Sequence, residues 1–232
     1  MTVVEAVNLS KTFRGGDGGL ITVLSGVALE VARGEMVAIV GTSGAGKSTL
    51  LHLLGALDRP TSGEIFLQGQ AIARLNDDAL SQLRNRTVGF VFQFHHLLRE
   101  FTALENVEMP MRIAGWPVAR RRDRARDLLT RVGLDGRLHH RPGQLSGGEQ
   151  QRAAVARALA TDPALLLADE PSGNLDHANA ERLHDLMGGL AQDLELAVVV
   201  VTHNRSLAGR ADRVLLLEEG RLTATDVREA VT

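Results

Sequence analysis

A glycine-rich segment, GTSGAGKST at residues 41–49, joins a short apolar run to a helix-favouring stretch. Residues 35–40 (EMVAIV) have the composition of a buried strand, and a helix is predicted from Lys47 to about Leu57. Glycines let the backbone approach a phosphate closely with its N–H groups turned inward, and the helix N-terminus adds a favourable dipole. The segment therefore predicts an α/β fold with a phosphate-binding loop at the edge of a parallel sheet.

The polar side chains of this loop suit a nucleotide. Lys47 would neutralise the β- and γ-phosphates, the Ser48 hydroxyl would ligate Mg²⁺, and Thr49 would add a phosphate contact. A glycine-rich turn that matches the pattern by chance is the alternative, and the motifs described next argue against it. The predicted nucleotide-binding residues of the loop are Gly41, Thr42, Ser43, Gly44, Ala45, Gly46, Lys47, Ser48 and Thr49.

Two further apolar runs end in groups that suit ATP hydrolysis. Residues 164–168 (ALLLA) precede Asp169 and Glu170, and residues 196–202 (LAVVVVT) precede His203. Because Mg²⁺ prefers oxygen ligands, Asp169 is predicted as a metal ligand, which leaves Glu170 as general base for water. The imidazole of His203 can hold the γ-phosphate. A solvated loop or a strand-end histidine would explain each group singly, but together with the phosphate loop they predict a catalytic edge of the sheet.

A second motif, LSGGE at residues 145–149, precedes helix-favouring residues that end before Asp162-Pro163. It forms another helix N-terminus that could receive an anion. Since the first site already has its own helix, the anion predicted here is a γ-phosphate bound by a second copy or a partner chain. An ordinary serine cap before a surface helix is the alternative. The residues predicted to contact this phosphate are Ser146, Gly147, Gly148 and Glu149.

In order and identity these motifs resemble those of the ATP-binding cassette (ABC) ATPases, over essentially the whole chain. The resemblance implies that Phe13 stacks on adenine, that Gln93 senses Mg²⁺ and the attacking water, and that the loop 172–176 crosses a dimer interface. It also implies a head-to-tail dimer. In that dimer each ATP lies between the phosphate loop of one chain and the second motif, residues 145–149, of the other, which is called the signature motif. The predicted catalytic residues are then Glu170, His203 and Gln93, and the predicted metal ligands are Ser48, Gln93 and Asp169.

A single domain is expected for a chain of 232 residues with 44% apolar composition. The resemblance implies a P-loop NTPase (RecA-like) core with a parallel sheet, an antiparallel β lobe and a helical lobe. The β lobe and core are predicted at about residues 1–93 and 147–232, and the helical lobe at about 94–146. A capping-box spacing from Thr102 and a helix over residues 117–132 support the helical lobe.

Composition excludes several classes of protein. The chain has no cysteine, which rules out disulfides and thiolate metal sites. No stretch approaches the roughly 18 apolar residues of a membrane span, so any membrane contact is expected to come through a partner. The family resemblance implies a cytoplasmic chain held at the inner membrane by membrane subunits. A net charge of −2 gives no electrostatic case for nucleic acid. The basic cluster at residues 120–126 is interleaved with aspartates and predicted to be a solvated helix face rather than a lipid or partner contact.

A narrower resemblance is found after Gln93, in residues 94–98 and 101–107, together with 140–142, 167–171 and 173–176. These segments resemble the ATP-binding subunits of bacterial lipoprotein-releasing systems. That resemblance implies an ATPase that drives the release of outer-membrane-directed lipoproteins from the inner membrane to a periplasmic carrier. It also implies that the membrane subunits dock on the segment after the glutamine.

Some positions depart from the usual family pattern, but none removes a catalytic group. They are Phe13, Ser172, Asn204 and Arg99, and only Arg99 lies in the expected docking segment. ATPase subunits of related macrolide-export or cell-division complexes are the alternatives. A soluble cassette ATPase acting on DNA or ribosomes is disfavoured, because the chain has neither a long coiled-coil insertion nor a second cassette.

Overall fold

The computed structural model describes residues 1–16 and 18–226. The strands are β1 (Thr2–Arg14), β2 (Leu20–Ala32), β3 (Met36–Val40), β4 (Ser62–Leu67), β5 (Gln70–Ala71), β6 (Val88–Phe92), β7 (Leu165–Asp169), β8 (Ala197–Val201), β9 (Arg213–Glu218) and β10 (Arg221–Ala224). The α-helices are α1 (Lys47–Leu54), α2 (Asp77–Thr87), α3 (Ala103–Ile113), α4 (Val118–Arg131), α5 (Gly147–Ala158), α6 (His177–Asp193) and α7 (Arg205–Ala208).

The larger sheet carries the predicted catalytic edge. Its strand order is β10-β9-β3-β8-β7-β6, and only the β9–β10 pair is antiparallel. Every residue of β3 and β8 is buried, as expected for central strands covered on both faces. The three predicted apolar runs are therefore neighbouring parallel strands, in the order β3, β8 and β7, and their C-terminal ends lie at one edge of the sheet.

The smaller sheet is the antiparallel β lobe, with strand order β2-β1-β4-β5. The strand β1 pairs with β2 over almost its whole length, from Thr2 opposite Ala32 to Arg14 opposite Leu20. The strand β2 includes residues 21–31, and β4 ends at Leu67, before the turn to β5. The prediction of an antiparallel lobe beside a parallel core is confirmed.

The helix after the phosphate loop is shorter than predicted, because it ends at Leu54 and not near Leu57. Ala56 has a left-handed φ of 54°, and the Leu57 N–H donates to the His52 carbonyl at 2.8 Å. This is the hydrogen bond of a Schellman motif, which terminates a helix. Gly55 is required at the turn, since a Cβ there would lie 2.1 Å from the ring of Phe90.

The helices α3 and α4 form the helical lobe, and α5 packs against both. At the start of α3, the Thr102 backbone N–H donates to Glu105 Oε2 at 2.8 Å, and the Glu105 N–H donates to Thr102 Oγ1 at 3.2 Å. The predicted capping box is therefore present. The buried side chains of these three helices join those on one face of the larger sheet in one apolar cluster, and the other face packs against α1 and the β lobe.

The basic cluster of α4 is only partly a solvated face. Arg122 is exposed, but Arg121 pairs with Glu108 at 3.0 Å, and both side chains of that pair are largely buried. Arg124 pairs with Asp127 at 3.3 Å and also with Asp162. The prediction of a solvated face was wrong for these two arginines, because their partners come from the preceding helix and from the loop before β7.

Within the described residues, no helix is long and apolar enough to span a bilayer.

Candidate active site

The phosphate loop connects β3 to α1 and depends on its glycines. Gly41 has φ 152°, and a Cβ at this position would lie 2.3 Å from the carbonyl oxygen of Leu217 on β9. Gly46 has φ 99°, and its Cβ would lie 2.8 Å from Val23 of the β lobe. The neighbouring strands therefore leave room for backbone only, and the loop can fold tightly with its N–H groups available to an anion.

Lys47 is held at the base of this loop. Its ammonium group donates to the carbonyl oxygens of Gly41 at 2.8 Å and Thr42 at 2.9 Å. An ammonium group has three donors, so these two bonds orient the side chain and leave one N–H for a ligand. Lys47 thus lies as a fixed positive charge beside the start of α1.

Glu170 and His203 meet at the ends of β7 and β8. Glu170 Oε1 accepts hydrogen bonds from the backbone N–H of His203 at 3.0 Å and from its Nδ1 at 2.7 Å. The Thr202 hydroxyl donates to Oε2 at 3.2 Å. Glu170 has a left-handed φ of 45°, and its own N–H donates to the carbonyl of Val201 at 2.9 Å. The chain turns sharply at this residue, and the three donors fix its carboxylate.

Gln93 is tied to the loop that follows Glu170. Its Nε2 donates to Asn174 Oδ1 at 3.2 Å, and Asn174 Nδ2 donates to the Gln93 carbonyl at 3.2 Å. A Cβ on Gly173 would lie 2.9 Å from Gln93 Nε2, so the loop passes close to the end of the glutamine side chain. The glutamine after β6 and the loop after β7 therefore form one hydrogen-bonded unit.

A cavity of about 820 Å³ unites most of the predicted residues. Val23, Phe92, Phe94 and His96 also line it, and we did not predict those four as site residues. Thr42 and Ala45 belong to the same loop but do not line the cavity. The predicted residues that line it are Gly41, Ser43, Gly44, Gly46, Lys47, Ser48, Thr49, Gln93, Asp169, Glu170 and His203.

The donors in this cavity suit a hard divalent cation. Ser48, Gln93 and Asp169 all line it and offer hydroxyl, amide and carboxylate oxygens. Among the residues that the structure describes, no group of three His, Cys, Asp or Glu side chains could hold a metal alone. A cation at this edge would therefore depend on the serine and the glutamine, and on phosphate oxygens, which is how Mg²⁺ is usually bound beside a nucleotide.

Phe13 lies apart from this cavity, on β1 opposite Ile21. Its side chain is 41% exposed, and the Lys11 ammonium lies 4.9 Å from the ring centroid. An exposed ring on the β lobe is available for stacking, but the cavity itself does not include it. The predicted adenine contact stays a prediction.

The signature motif begins α5 and is also absent from the lining of the cavity. The Glu149 N–H donates to Ser146 Oγ at 3.3 Å, and the Ser146 N–H donates to Glu149 Oε2 at 2.7 Å, so the motif closes a capping box. Arg137 donates to Glu149 Oε1 at 3.0 Å. The backbone N–H of Ser146 is the main cause that lowers the pKa of Glu149 to about 2, and Arg137 contributes. The serine cap is therefore present, and Ser146 and Gly147 are exposed at this helix end.

The helix α5 also reaches the strand and segment around Gln93, a connection that we did not predict. The buried Gln151 donates from Nε2 to the carbonyl of Phe92 at 2.9 Å. Arg157 donates from Nη1 to the carbonyl of His96 at 2.6 Å and from Nη2 to that of His95 at 2.8 Å, and burial lowers its pKa. Three hydrogen bonds therefore join the signature helix to the glutamine segment.

Comparison with known proteins agrees with this geometry. The family model described as ABC transporter matches residues 24–173. The lipoprotein-releasing system ATP-binding protein LolD of Xanthomonas campestris pv. campestris is 54% identical over 221 residues, covering 95% of this chain and 92% of the relative. The protein of the same name from Chromohalobacter salexigens is 50% identical over 221 residues, covering 95% and 93%.

A solved structure shows the same fold. It is a dimeric ATP-binding cassette in a post-hydrolysis state, bound to ADP and phosphate, with a TM-score of 0.86 and 39% identity, covering 95% of this chain and 98% of the other. This likeness confirms the predicted P-loop α/β fold. The solved structure of that fold binds a nucleotide, ADP. The family model matches more than half of the residues of this chain, and the relatives match 95% of it at 50% identity or more. This chain therefore belongs to the ABC transporter family and is an ABC-type ATPase.

Proposed function

We propose that this chain is the ATP-hydrolysing motor subunit of a lipoprotein-releasing ABC complex. The complex would release outer-membrane-directed lipoproteins from the inner membrane to a periplasmic carrier. The observation that carries this proposal is the identity of 50% or more, over 95% of the chain, to relatives that bear the lipoprotein-releasing name. The chain itself would act from the cytoplasmic face, held there by the membrane subunits, and would contact lipoprotein only through them.

Binding of ATP would begin at the phosphate loop. Lys47 would place its free N–H on the β- and γ-phosphates, and the loop N–H groups with the start of α1 would surround them. Ser48, Gln93 and Asp169 would hold Mg²⁺, which neutralises charge on the phosphates when it is bound. Phe13 would stack on the adenine.

Glu170 would then act as general base. Its carboxylate would take the proton of a water whose oxygen attacks the γ-phosphorus, while the bond to the ADP oxygen breaks. Oε1 already accepts two bonds from His203. The imidazole would have to leave Oε1 for water to approach, and it could then contact the γ-phosphate. His203 would thus move from orienting the base to sensing the phosphate.

A second copy of the chain would complete each site. The cap of α5 lies outside the cavity that contains Lys47 and Glu170, so a phosphate in that cavity would meet the signature of another molecule. Ser146, Gly147, Gly148 and Glu149 would supply that contact in a head-to-tail dimer. Closure would require ATP, and reopening would require hydrolysis.

The proposal is tested in the native membrane. We would tag the chain in its host, solubilise membranes in mild detergent, identify the co-purifying subunits and reconstitute the complex in liposomes with a lipoprotein and its periplasmic carrier. ATP-dependent release of lipoprotein, lost in the Glu170→Gln complex, is the expected result. Macrolide export or a cell-division partner would overturn the cargo and keep the motor, whereas purely soluble partners would overturn the transporter function.

A further inference from the structure

A buried histidine contacts the loop that follows the proposed base. His184 lies in α6 and is 1% exposed, and its Nε2 lies 2.8 Å from the hydroxyl oxygen of Ser172, which is 6% exposed. An imidazole buried among apolar side chains costs free energy unless its nitrogens find partners. The contact with Ser172 therefore distinguishes this position from the leucines that surround it in the core.

The second nitrogen of the ring faces a carboxylate. His184 Nδ1 lies 3.5 Å from Glu181 Oε1, and neither atom makes a hydrogen bond in the described part of the chain. Glu181 Oε2 accepts from Arg210 at 2.8 Å, and Arg210 also donates to Asp185 at 2.6 Å. A chain of polar groups thus runs from Ser172 through α6 to Arg210, which follows α7.

The carboxylate favours one tautomer of the ring. A carboxylate oxygen only accepts, so a proton on His184 Nδ1 would face Glu181, and Nε2 would then accept from the Ser172 hydroxyl. Burial is the main cause that lowers the pKa of His184; Arg210 lowers it further, and Glu181 and Asp185 oppose the shift.

This polar chain links the two segments that carry the hydrolytic groups. Ser172 follows Glu170 by two residues, and the Gly173 N–H donates to the Glu170 carbonyl at 3.0 Å. Arg210 follows the segment that begins at His203. The Glu170–His203 contact of 2.7 Å joins these two segments directly. The polar groups of α6, between Ser172 and Arg210, connect them a second time. Such a double connection would hold the carboxylate in a single orientation.

We propose that His184 is a positioning residue for ATP hydrolysis, which accepts the Ser172 hydroxyl and thereby aligns the loop that carries Glu170. It touches neither nucleotide nor water, and it acts through Ser172. This inference rests on the proposed role of Glu170 as general base. Glu181 supports it by holding the ring in the tautomer that accepts.

The first test is a double-mutant cycle with His184→Phe and Ser172→Ala. Phenylalanine fills the site without an acceptor, so kcat should fall about tenfold or more, because small misplacements of a catalytic group cost rate steeply. The KM for ATP should stay within about twofold. The double variant should be no slower than the slower single variant, since both remove the same contact. His184→Gln, which can accept at the same place, should recover most of kcat.

The control is Leu190→Ala, which removes a buried side chain from the same helix without touching the loop. It should lower Tm and leave kcat unchanged at temperatures where the protein is folded. If His184→Phe behaves like this control, or if the two substitutions of the cycle are additive in kcat, the positioning role is overturned.

A second measurement does not depend on the role of Glu170. The ¹⁵N chemical shifts of the His184 ring in the wild-type chain report the tautomer directly. A neutral ring protonated at Nδ1 between pH 6 and 8 is expected. A ring protonated at Nε2, or a cationic ring, would overturn the proposal even if Glu170→Gln abolishes hydrolysis. Conversely, an active Glu170→Gln chain would refute the base and leave the tautomer result intact.

Discussion

Replacing Glu170 by glutamine removes the proposed base and keeps the hydrogen bonds that hold it. The amide oxygen can still accept from the His203 N–H and Nδ1, which lie 3.0 and 2.7 Å from Oε1. The amide nitrogen can donate to the Thr202 hydroxyl, which lies 3.2 Å from Oε2. The loop should therefore keep its conformation, and Tm should change little.

The magnitude of the catalytic loss follows from the role of the residue. A positioned general base contributes about 10²- to 10⁴-fold to a rate. At 1.36 kcal/mol for each factor of ten, this corresponds to about 3–5 kcal/mol of transition-state stabilisation. The kcat of Glu170→Gln should fall by at least about 100-fold. ATP binding should persist, because the phosphate loop is untouched. The dimer should be trapped, because reopening is proposed to require hydrolysis.

Phosphate release, nucleotide retention and light scattering measure these three effects. The matched control is Glu195→Gln, the same chemical change at another residue of positive φ, 50°, which lies in the turn before β8 and does not line the cavity. Its ATPase rate should equal that of the wild type. A Glu170→Gln chain that hydrolyses ATP near the wild-type rate would refute Glu170 as general base.

Three further predictions concern α5. Ser146→Ala should cost about 1 kcal/mol of unfolding free energy through the lost cap, whereas Ser146→Arg should also abolish ATP-dependent dimers in light scattering while ATP still binds; dimers that persist would contradict the signature role. The pKa of Glu149 is lowered from 4.5 to about 2, so its carboxylate stabilises the fold above pH 4.5, and this contribution is lost as pH falls towards 2. The decrease of Tm over that pH range should be smaller in Glu149→Gln. A Tm profile identical to that of the wild type would refute the contribution of Glu149. Arg157→Met should cost about 1–3 kcal/mol in denaturant titrations because the hydrogen bonds from the charged guanidinium to the carbonyls of His95 and His96 are lost; an unchanged midpoint would contradict the assigned contacts.

Local sequence patterns predicted the parts of the structure that local physics determines. The apolar runs before Gly41, Asp169 and His203 are too uniform for exposed strands, and they form β3, β7 and β8 of the central sheet. The capping box at Thr102 was predicted from two residues three positions apart, and its hydrogen bonds are present. The hairpin β9–β10 and the helix α2 were not predicted.

Contacts between distant residues were not predictable in this way. Arg157 contacts carbonyls 61 and 62 residues away, and carbonyls have no signature in a sequence. His184 occupies a helical position with leucines before and after it, and nothing in its neighbourhood indicates a partner 12 residues earlier. Such contacts follow from how helices dock on the sheet, so only the folded chain shows them.

The central claim is that each ATP is hydrolysed between two chains, and complementation tests it most directly. Lys47→Ala disables the phosphate loop and leaves the signature intact, whereas Ser146→Arg does the reverse. Each variant alone should be inactive. A mixture should regain ATPase activity, because a mixed dimer contains one site with an intact loop and an intact signature. A mixture as inactive as its components would contradict the shared site and place both motifs in the site of a single chain.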